Sequence, residues 1–275
     1  MTAPDTTTRF RELHAQGCFV MPNPWDAGTA RALERMGFAA LATSSAACAW
    51  ALGKEDNAIT LEEALDHLRV VAAAVSIPVN ADFEAGFATK PEEVARNVAR
   101  AVETGIAGLS IEDSTGDPDR PLFDFDLATD RIRAARQAID RSGTGVVLTG
   151  RSEGFIAGRP DIEETVRRLQ AYSTAGADCL YAPGIRTRAD IIAVVSAVSP
   201  KPVNLLVHAD FITHPEASAL GVRRISTGGA LARAAWTGFL RAAREIHGEG
   251  TFAELGAAVA SREVTDAFAP SGRRS

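Results

Sequence analysis

The sequence predicts an α/β fold of the (β/α)8 barrel class, and three observations lead to this prediction. The chain has 275 residues, a length close to the roughly 250 residues typical of such barrels. Short apolar segments without alternation recur along it, as expected for parallel strands buried on both faces. Segments with the helical spacing of apolar residues lie between them,. An open doubly wound sheet is the alternative, and it is disfavoured because no GxGxxG motif follows the first strand.

The predicted elements repeat in a fixed order. The predicted strands are Phe19–Met21, Ala39–Ala42, Pro78–Asp82, Gly108–Glu112, Gly145–Leu148, Cys179–Tyr181, Pro202–Leu206 and Arg224–Ser226. Capping-box patterns, which mark helix starts, occur at Thr60–Glu63, Thr89–Glu92, Thr187–Asp190 and Thr213–Glu216. Glycines that can close a helix end in the left-handed conformation are Gly37, Gly105, Gly176 and Gly221. Strand, capped helix and glycine in repetition indicate a TIM barrel.

The chain continues past the eighth strand, beyond a minimal barrel. A long helix is predicted at about Ala230–His247 and a short one at Phe252–Ser261. The tail Pro270–Ser275 is expected to fray. We interpret residues 1–275 as one barrel domain with a C-terminal helical extension at about 230–265.

Composition excludes several classes of protein. The net charge of -6 gives no basic footprint for nucleic acid,. No apolar run reaches the roughly 18 residues needed to span a bilayer. The three cysteines, Cys18, Cys48 and Cys179, show no CxxC spacing, so neither a disulfide framework nor a zinc site is indicated,. We therefore expect a cytoplasmic protein that binds neither nucleic acid nor membrane.

Acidic side chains gather where the third and fourth strands end. Asp82 ends the third strand and Glu84 lies two positions beyond it, while Glu112 ends the fourth strand. Because adjacent strands lie about 4.8 Å apart, the three carboxylates can converge on one point. Each alone is better explained as a helix cap or a partner of a surface arginine. Together they favour a divalent cation such as Mg²⁺, which removes their repulsion and takes oxygen ligands,.

A second set of residues is suited to an anionic ligand. Arg151, after strand five, has a planar fork that suits a substrate carboxylate, and a salt bridge to Glu153 or Glu112 is an equal alternative,. Ser44 and Ser45 lie in a loop of small residues after strand two, whose backbone N–H groups can meet an oxyanion. Asn204, on the seventh strand, completes the predicted substrate-binding residues.

Five motifs, in their order and spacing, resemble those of the isocitrate lyase/phosphoenolpyruvate mutase superfamily. The segments concerned are Pro22–Ala27, Leu52–Asp56, Ala81–Phe87, Gly108–Asp113 and Gly150–Phe155. The third is similar to the Asp-x-Asp/Glu-x-Gly-Tyr/Phe metal motif, and the fourth to the Gly-x-x-x-Glu-Asp strand. The resemblance spans about Phe10 to Trp236, which is nearly the whole chain.

The resemblance implies a (β/α)8 barrel that binds Mg²⁺, with Mn²⁺ as an alternative, and an α-keto acid or its enol form. It also implies a homodimer or homotetramer in which C-terminal helices can be exchanged between subunits. The residues it places in the site fall into three groups. In the first group, Asp82 would bind the metal directly, and Glu84, Glu112 and Asp56 would act mostly through its waters. In the second, Arg151 would hold the ligand carboxylate. In the third, the Ser44–Ala46 backbone would bind carboxylate or keto oxygens of the ligand.

One segment departs from the superfamily pattern. The lyases carry Lys-Lys-Cys-Gly-His after the Glu-Asp strand, and the Cys is their acid/base. Here Ser114–Arg120 contains no Cys, Lys or His, and the Lys and Asn of the phosphonate mutases are missing too. We therefore predict a carbon–carbon lyase or decarboxylase that acts on a small α-keto acid such as oxaloacetate or 2-oxoglutarate. Arg151, Glu112 and Asp56 are its predicted catalytic residues.

Two other functions remain open on the sequence. One is a phosphonopyruvate-type hydrolase or mutase, which would act on a carbon–phosphorus bond. The other is a protein that keeps the metal site and binds an α-keto acid without turning it over.

Overall fold

Eight parallel strands form a barrel in the computed structural model, which describes residues 5–268. The strands are β1 (Phe19–Met21), β2 (Leu41–Ala42), β3 (Val79–Asp82), β4 (Gly108–Glu112), β5 (Val147–Arg151), β6 (Cys179–Tyr181), β7 (Val203–Leu206) and β8 (Arg224–Ser226). Their hydrogen-bonded order is β1-β8-β7-β6-β5-β4-β3-β2. The predicted (β/α)8 barrel is confirmed.

Helices surround the barrel and follow its strands. They are α1 (Thr6–Ala15), α2 (Ala27–Arg35), α3 (Ser45–Ala51), α4 (Leu61–Ala74), α5 (Pro91–Val102), α6 (Phe125–Ser142), α7 (Ile162–Thr174), α8 (Arg188–Val198), α9 (His214–Ala219), α10 (Ala230–Glu249) and α11 (Ser261–Asp266). A 3-10 helix (Ala253–Ala257) separates the last two. Within the described part of the chain, no helix combines the length and the apolar character needed to cross a membrane.

The barrel closes at a seam between β1 and β2, where the described residues form no ladder of pairs. The Ala42 N–H donates to the carbonyl oxygen of Pro22 at 3.1 Å. The Asn23 side-chain amide donates to the carbonyl oxygen of Thr43 at 2.7 Å, and its oxygen accepts from the Thr227 N–H at 2.9 Å. One side chain therefore links the ends of three strands across the seam.

The helix signals in the sequence are mostly confirmed. Thr60 and Thr213 form complete capping boxes with the acidic residues three positions later. Thr187 accepts from the Asp190 N–H, which is half of such a box. The box predicted at Thr89 is wrong, because α5 begins at Pro91 and its N-cap, Lys90, makes no side-chain cap. Proline is suited to the first helical position, where its missing N–H costs nothing.

Positive φ angles support the predicted helix ends. Gly37, Gly105, Gly176 and Gly221 have φ between 87° and 110°. Only glycine adopts this region at little cost, and each residue turns the chain from a helix into the next strand. The prediction that these four glycines close helices is confirmed.

Strand five is longer than predicted. It was predicted at Gly145–Leu148, whereas β5 begins at Val147, runs to Arg151 and pairs with both β4 and β6. The strand passes close to α7 at Gly150, where a Cβ would lie only 2.8 Å from the Cβ of Tyr172. A residue without a side chain is therefore needed at this position of the strand. The consequence is that Arg151 is held by strand pairing and not by a loop.

The interior of the barrel is polar along its axis. Barrels of this class are usually filled by branched apolar side chains, but here Asn80, Thr149, Asn204, Arg224 and Ser226 are all buried. Below them α1 closes the N-terminal end of the barrel with an apolar cluster, to which Phe10, Met21 and Val147 contribute. The larger apolar core lies between the strands and the surrounding helices.

The C-terminal extension follows β8 as predicted, with different boundaries. The long helix α10 ends at Glu249, two residues beyond the prediction. The short helix predicted at Phe252–Ser261 is wrong: a 3-10 turn and α11 occupy this region instead. Pro270–Ser275 lies outside the described residues.

Candidate active site

A polar cavity of about 170 Å³ opens at the carboxyl ends of the strands. This is the face on which barrels of this class carry their active sites. Its charged lining residues are Asp56, Asp82, Arg151 and Arg224. Its other polar lining residues are Asn23, Thr43, Ser44, Ser45, Asn80, Ser110, Tyr181, Asn204 and Ser226. A space of this size and polarity suits a small charged ligand.

Arg151 joins the carboxylates of three strand ends. Its Nη1 lies 3.0 Å from Asp82 Oδ1 and 3.1 Å from Glu112 Oε2, and its Nε donates to the Glu153 carboxylate. The guanidinium also lies over the Tyr181 ring. The salt bridge considered from the sequence is therefore present with both of its predicted partners, and Asp82 is a third.

Asp82 lies between Arg151 and the start of α3. Its Oδ2 accepts from the backbone N–H and from the hydroxyl of Ser45, each at 3.0 Å. Ser44 and Ser45 were predicted to lie in a loop, and this is wrong. Ser44 is the N-cap of α3, and Ser45 is its first residue. Ser44 caps the helix by accepting from the Ala47 N–H. Ser44, Ser45 and Ala46 all line the cavity.

Glu84 is held in an unusual environment beside Asp82. Its φ is +45°, a conformation that is strained for a residue with a side chain,. Its Oε1 is buried without a hydrogen-bond partner in the described structure. Burial, with Asp82 and Asp56 nearby, raises the pKa of Glu84 to about 8. A buried carboxylate oxygen without a partner is costly, and a cation would satisfy it.

Glu112 and Glu153 form the buried acidic layer behind Arg151. Burial raises the pKa of Glu112 well above its usual value, and Arg151 opposes that shift. Burial likewise raises the pKa of Glu153 to about 7, against the attraction of Arg151. Neither side chain lines the cavity. Both contact Arg151, which separates them from the cavity.

The neighbouring acid, Asp113, points away from this site. Its Oδ2 accepts from the Tyr172 hydroxyl at 2.6 Å and from Arg168 Nη1 at 3.1 Å. Both partners belong to α7, so Asp113 fastens that helix to the end of β4. Its Oδ1 accepts from the Glu153 N–H at 2.7 Å, so Asp113 holds both the helix layer and the segment that follows β5.

The donor set fits a divalent cation held by few protein ligands. Among residues 5–268, no three His, Cys, Asp or Glu side chains are arranged as a ready-made metal cluster. Asp82 and Asp56 face the cavity, while Glu84 and Glu112 lie behind it. Mg²⁺ commonly keeps several waters and uses one or two carboxylates. The buried oxygen of Glu84 that has no hydrogen-bond partner and the two acids that line the cavity agree with that mode of binding.

Sequence reasoning missed several residues of the cavity. Asn80, Ser110, Arg224 and Ser226 line it, and buried Thr149 accepts a hydrogen bond from Arg224. A signal was present: a polar residue precedes the predicted site residue by two positions at Asn80 and Asp82, and again at Thr149 and Arg151. Residues two apart on a strand share a face. Of the predicted residues, Asp56 and Asn204 do line the cavity.

The segment that replaces the lyase loop folds back on itself. Ser114 pairs with Leu122 in an antiparallel bridge, and the Thr115 N–H donates to the carbonyl oxygen of Pro121 at 3.0 Å. Residues 114–122 do not line the cavity. The structure thus brings no side chain of this segment into the site.

The sequence profile of the phosphoenolpyruvate phosphomutase family matches residues 10–247. The chain therefore belongs to this family, which lies within the superfamily that the motifs indicated. An uncharacterized protein of Mycobacterium tuberculosis is 32% identical over 221 residues, which are 80% of this chain and 81% of that protein. Oxaloacetate decarboxylase of Bradyrhizobium diazoefficiens is 32% identical over 196 residues, covering 67% of this chain and 65% of the enzyme.

Solved structures show the same fold. A Burkholderia cenocepacia protein, provisionally described as a lyase/mutase, has a TM-score of 0.93 and 46% identity, covering 96% of this chain and 97% of that one. Phosphonopyruvate hydrolase, in complex with oxalate and Mg²⁺, has a TM-score of 0.85 and 26% identity, covering 96% and 95%.

Proposed function

We propose that this protein is a Mg²⁺- or Mn²⁺-dependent enzyme that breaks a carbon–carbon bond next to the carbonyl of a small α-keto acid. Glu84 carries the proposal, because its buried carboxylate oxygen has no partner among the described residues and lies beside Asp82. Such an arrangement favours a cation, and a cation favours a chelating anion. The similarity to an oxaloacetate decarboxylase makes oxaloacetate the first substrate to test.

A bound divalent cation would act as a Lewis acid on charge that develops at the keto oxygen. Asp82 would hold it directly, with Glu84 and Asp56 reaching it through water, while Glu112 would act through Arg151, which it contacts. Arg151 would keep the three acidic groups that it touches from repelling one another, and would present positive charge to a ligand carboxylate. Ser44–Ala46 and Asn204 line the cavity and would orient the ligand oxygens.

A side chain that exchanges a proton with the ligand during this reaction must face the ligand. Asp56 lines the cavity and Glu112 does not, so Asp56 is placed to exchange a proton with the ligand, and Glu112 acts through Arg151. Decarboxylation requires little acid or base before the bond breaks, which agrees with a site that lacks the Cys of the lyases. A carbon–carbon lyase reaction without a thiol is the function that these residues support best.

The test is an assay of pyruvate formation from oxaloacetate with Mg²⁺ and with EDTA. Because free metal ions also promote this reaction, the Asp82→Asn variant serves as the background at the same Mg²⁺ concentration. Turnover by the wild type well above that background supports the proposal. Release of phosphate from phosphonopyruvate would instead identify a hydrolase. Tight metal-dependent binding across a panel of α-keto acids, with no turnover of any, would identify a binding protein.

A further inference from the structure

Arg224 is a fully buried cation on the floor of the cavity. It is the first residue of β8, its exposed fraction is 1%, and it lines the same space as Asp82 and Arg151. Its guanidinium lies above the Phe10 ring of α1, at 6.0 Å from the ring centre. The residue therefore lies between the open face of the barrel and the helix that closes the other end.

All the hydrogen-bond partners of Arg224 are neutral. Its Nε donates to Asn204 Oδ1 at 2.9 Å and its Nη2 to Thr149 Oγ1 at 3.0 Å. Its Nη1 lies 3.3 Å from His14 Nε2 and 3.5 Å from Asn80 Oδ1. Among residues 5–268 it forms no ion pair. A buried charge without a counter-ion destabilises the protein, so binding of an anion next to Arg224 is favoured.

His14 does not change this balance. Its Nδ1 lies 2.7 Å from the carbonyl oxygen of Phe10, which can only accept, so Nδ1 carries the proton and Nε2 accepts from Arg224. Burial, together with the charge of Arg224, lowers the pKa of His14 to about 3. The ring is therefore neutral at physiological pH and leaves the guanidinium charge in place.

Three other arginines with little exposure differ from Arg224. Arg151 touches three carboxylates and Arg168 pairs with Asp113 and Glu164, so both have counter-ions before any ligand binds. Arg131 also lacks a carboxylate, but it donates to the backbone carbonyl oxygens of Glu112, Ala85 and Ala88 and does not line the cavity. Arg224 combines an unbalanced charge with a position on the cavity wall.

We propose that Arg224 binds the second carboxylate of a dicarboxylic α-keto acid. The proposal rests on the proposed function, because it places the keto-acid end of the ligand at Asp82 and the other end at the floor. Two arginines line the cavity, and of these Arg151 already touches carboxylates whereas Arg224 contacts only neutral groups. The second carboxylate of a dianion would supply a counter-ion to Arg224, whereas a monocarboxylic keto acid would leave it unpaired.

Matched ligand pairs test this in the wild-type protein. Calorimetry with Mg²⁺ should show 2-oxoglutarate binding roughly 10- to 150-fold more tightly than 2-oxovalerate, which has the same chain length and a neutral tail; this range corresponds to one charge-assisted hydrogen bond,. Equal affinities would overturn the role of Arg224. Absence of Mg²⁺-dependent oxalate binding would instead overturn the proposed function, since oxalate spans only the chelating end.

Variants separate a ligand contact from a structural role. Arg224→Met should abolish the preference for 2-oxoglutarate and leave oxalate affinity within about twofold, while Arg224→Lys should retain part of the preference. Arg223→Met is the matched control, because Arg223 carries the same charge one residue away and contacts the carbonyl oxygen of Gly17. A parallel loss of oxalate and 2-oxoglutarate binding in Arg224→Met would make Arg224 structural and reject the proposal.

A kinetic readout adds a second test if oxaloacetate is turned over. A guanidinium that holds a carboxylate stabilises the substrate before that carboxylate leaves as CO₂, and only interactions stronger in the transition state raise kcat. Arg224→Met should therefore raise KM for oxaloacetate without lowering kcat. A fall in kcat with unchanged KM would contradict a binding contact at this carboxylate.

Discussion

At the scale of single residues, Asp82 and Asp113 are neighbouring acids with opposite orientations. Asp82 faces the cavity, whereas Asp113 bonds to α7. We predict that Asp82→Asn lowers Mg²⁺ affinity by roughly 10- to 150-fold, the cost of a charge-assisted contact,. Asp113→Asn should change it little. Calorimetric titration with Mg²⁺ measures both, and equal affinities in the two variants would show that Asp82 is not the metal ligand.

Glu84 gives a pH dependence of stability in the metal-free protein. The pKa of Glu84 is raised to about 8 from 4.5, so between these values the folded state binds the proton more tightly than the unfolded state. This contribution to stability is complete below about pH 4.5 and is lost as the pH rises through about 8. Glu84→Gln mimics the protonated form and should therefore be more stable than the wild type at pH 8.5, by roughly 1–4 kcal/mol.

The measurement is urea unfolding in EDTA at pH 5 and pH 8.5. The two proteins should be similar at the lower pH and diverge at the higher one. A constant difference at both values would mean that Glu84 does not titrate in this range. Glu92, an exposed acid in the first turn of α5, provides the control variant Glu92→Gln.

The sequence identified the charged residues at strand ends and missed those one step deeper. Asp82, Glu112 and Arg151 belong to recognisable motifs and end their strands. Arg224 begins its strand, and the barrel rule points to strand ends, so nothing directed attention to it. Only the packing of α1 beneath the barrel shows that the cavity extends downward to this residue. Tertiary packing determines how far the cavity extends along the barrel axis, so the local spacing of residues in the sequence does not predict it.

At the scale of elements, the segment after β4 limits the chemistry. Residues 114–122 close on themselves through backbone bonds and contribute nothing to the cavity. General acid–base assistance is typically worth about 10²–10⁴-fold in rate. We predict that isocitrate and 2-methylisocitrate are not cleaved at a useful rate. Assays for glyoxylate and for succinate check this, and turnover above roughly 1 s⁻¹, within the ordinary range of enzymes, would contradict it.

Element boundaries were predictable where a local interaction fixes them. Capping boxes at Thr60 and Thr213 and the positive φ of Gly176 begin or end elements as expected. The end of β5 was not predictable, because Thr149 and Arg151 are polar and look like a loop. Pairing with β4 and β6 outweighs this local preference. The two polar residues find partners inside the barrel: Arg151 contacts three carboxylates, and Thr149 accepts from Arg224.

At the scale of the whole molecule, the C-terminal extension leaves apolar side chains exposed. Phe239 on α10 and Phe252 beyond it are 61% and 63% exposed. A groove of about 1050 Å³ runs along α10, with Trp50, Trp236 and Leu240 among its lining residues. Exposed apolar surface of this extent is typical of interfaces. We propose that α10 and the segments after it pack against a second subunit, as the resemblance implied for a homodimer or homotetramer.

We predict that the wild type is oligomeric and that Phe239→Asp shifts it toward monomers. A charge placed in an apolar interface loses its hydration without a partner, which disfavours association. Light scattering after size exclusion measures the mass. Ile192→Asp on α8, where the side chain is 48% exposed, is the control and should leave the mass unchanged. A monomeric wild type would reject the proposal.

The order of the strands was predictable because the alternation of elements permits few topologies. The contacts of the extension were not, because α10 has few partners on its own barrel and its apolar face alone does not specify what covers it. The local repeats of the sequence therefore predict the barrel, whereas they do not predict which surface covers the apolar face of α10.

The strands of the barrel are not equally well joined, because β1 and β2 meet at a seam. Every other pair of neighbouring strands is joined by a parallel ladder, but this joint depends on one backbone bond and on Asn23. Ser44 and Ser45 follow β2, which is paired in a ladder on one side only, whereas Arg151 ends β5, which is paired on both sides. We therefore expect a ligand that fits imperfectly to displace the two serines more readily than Arg151.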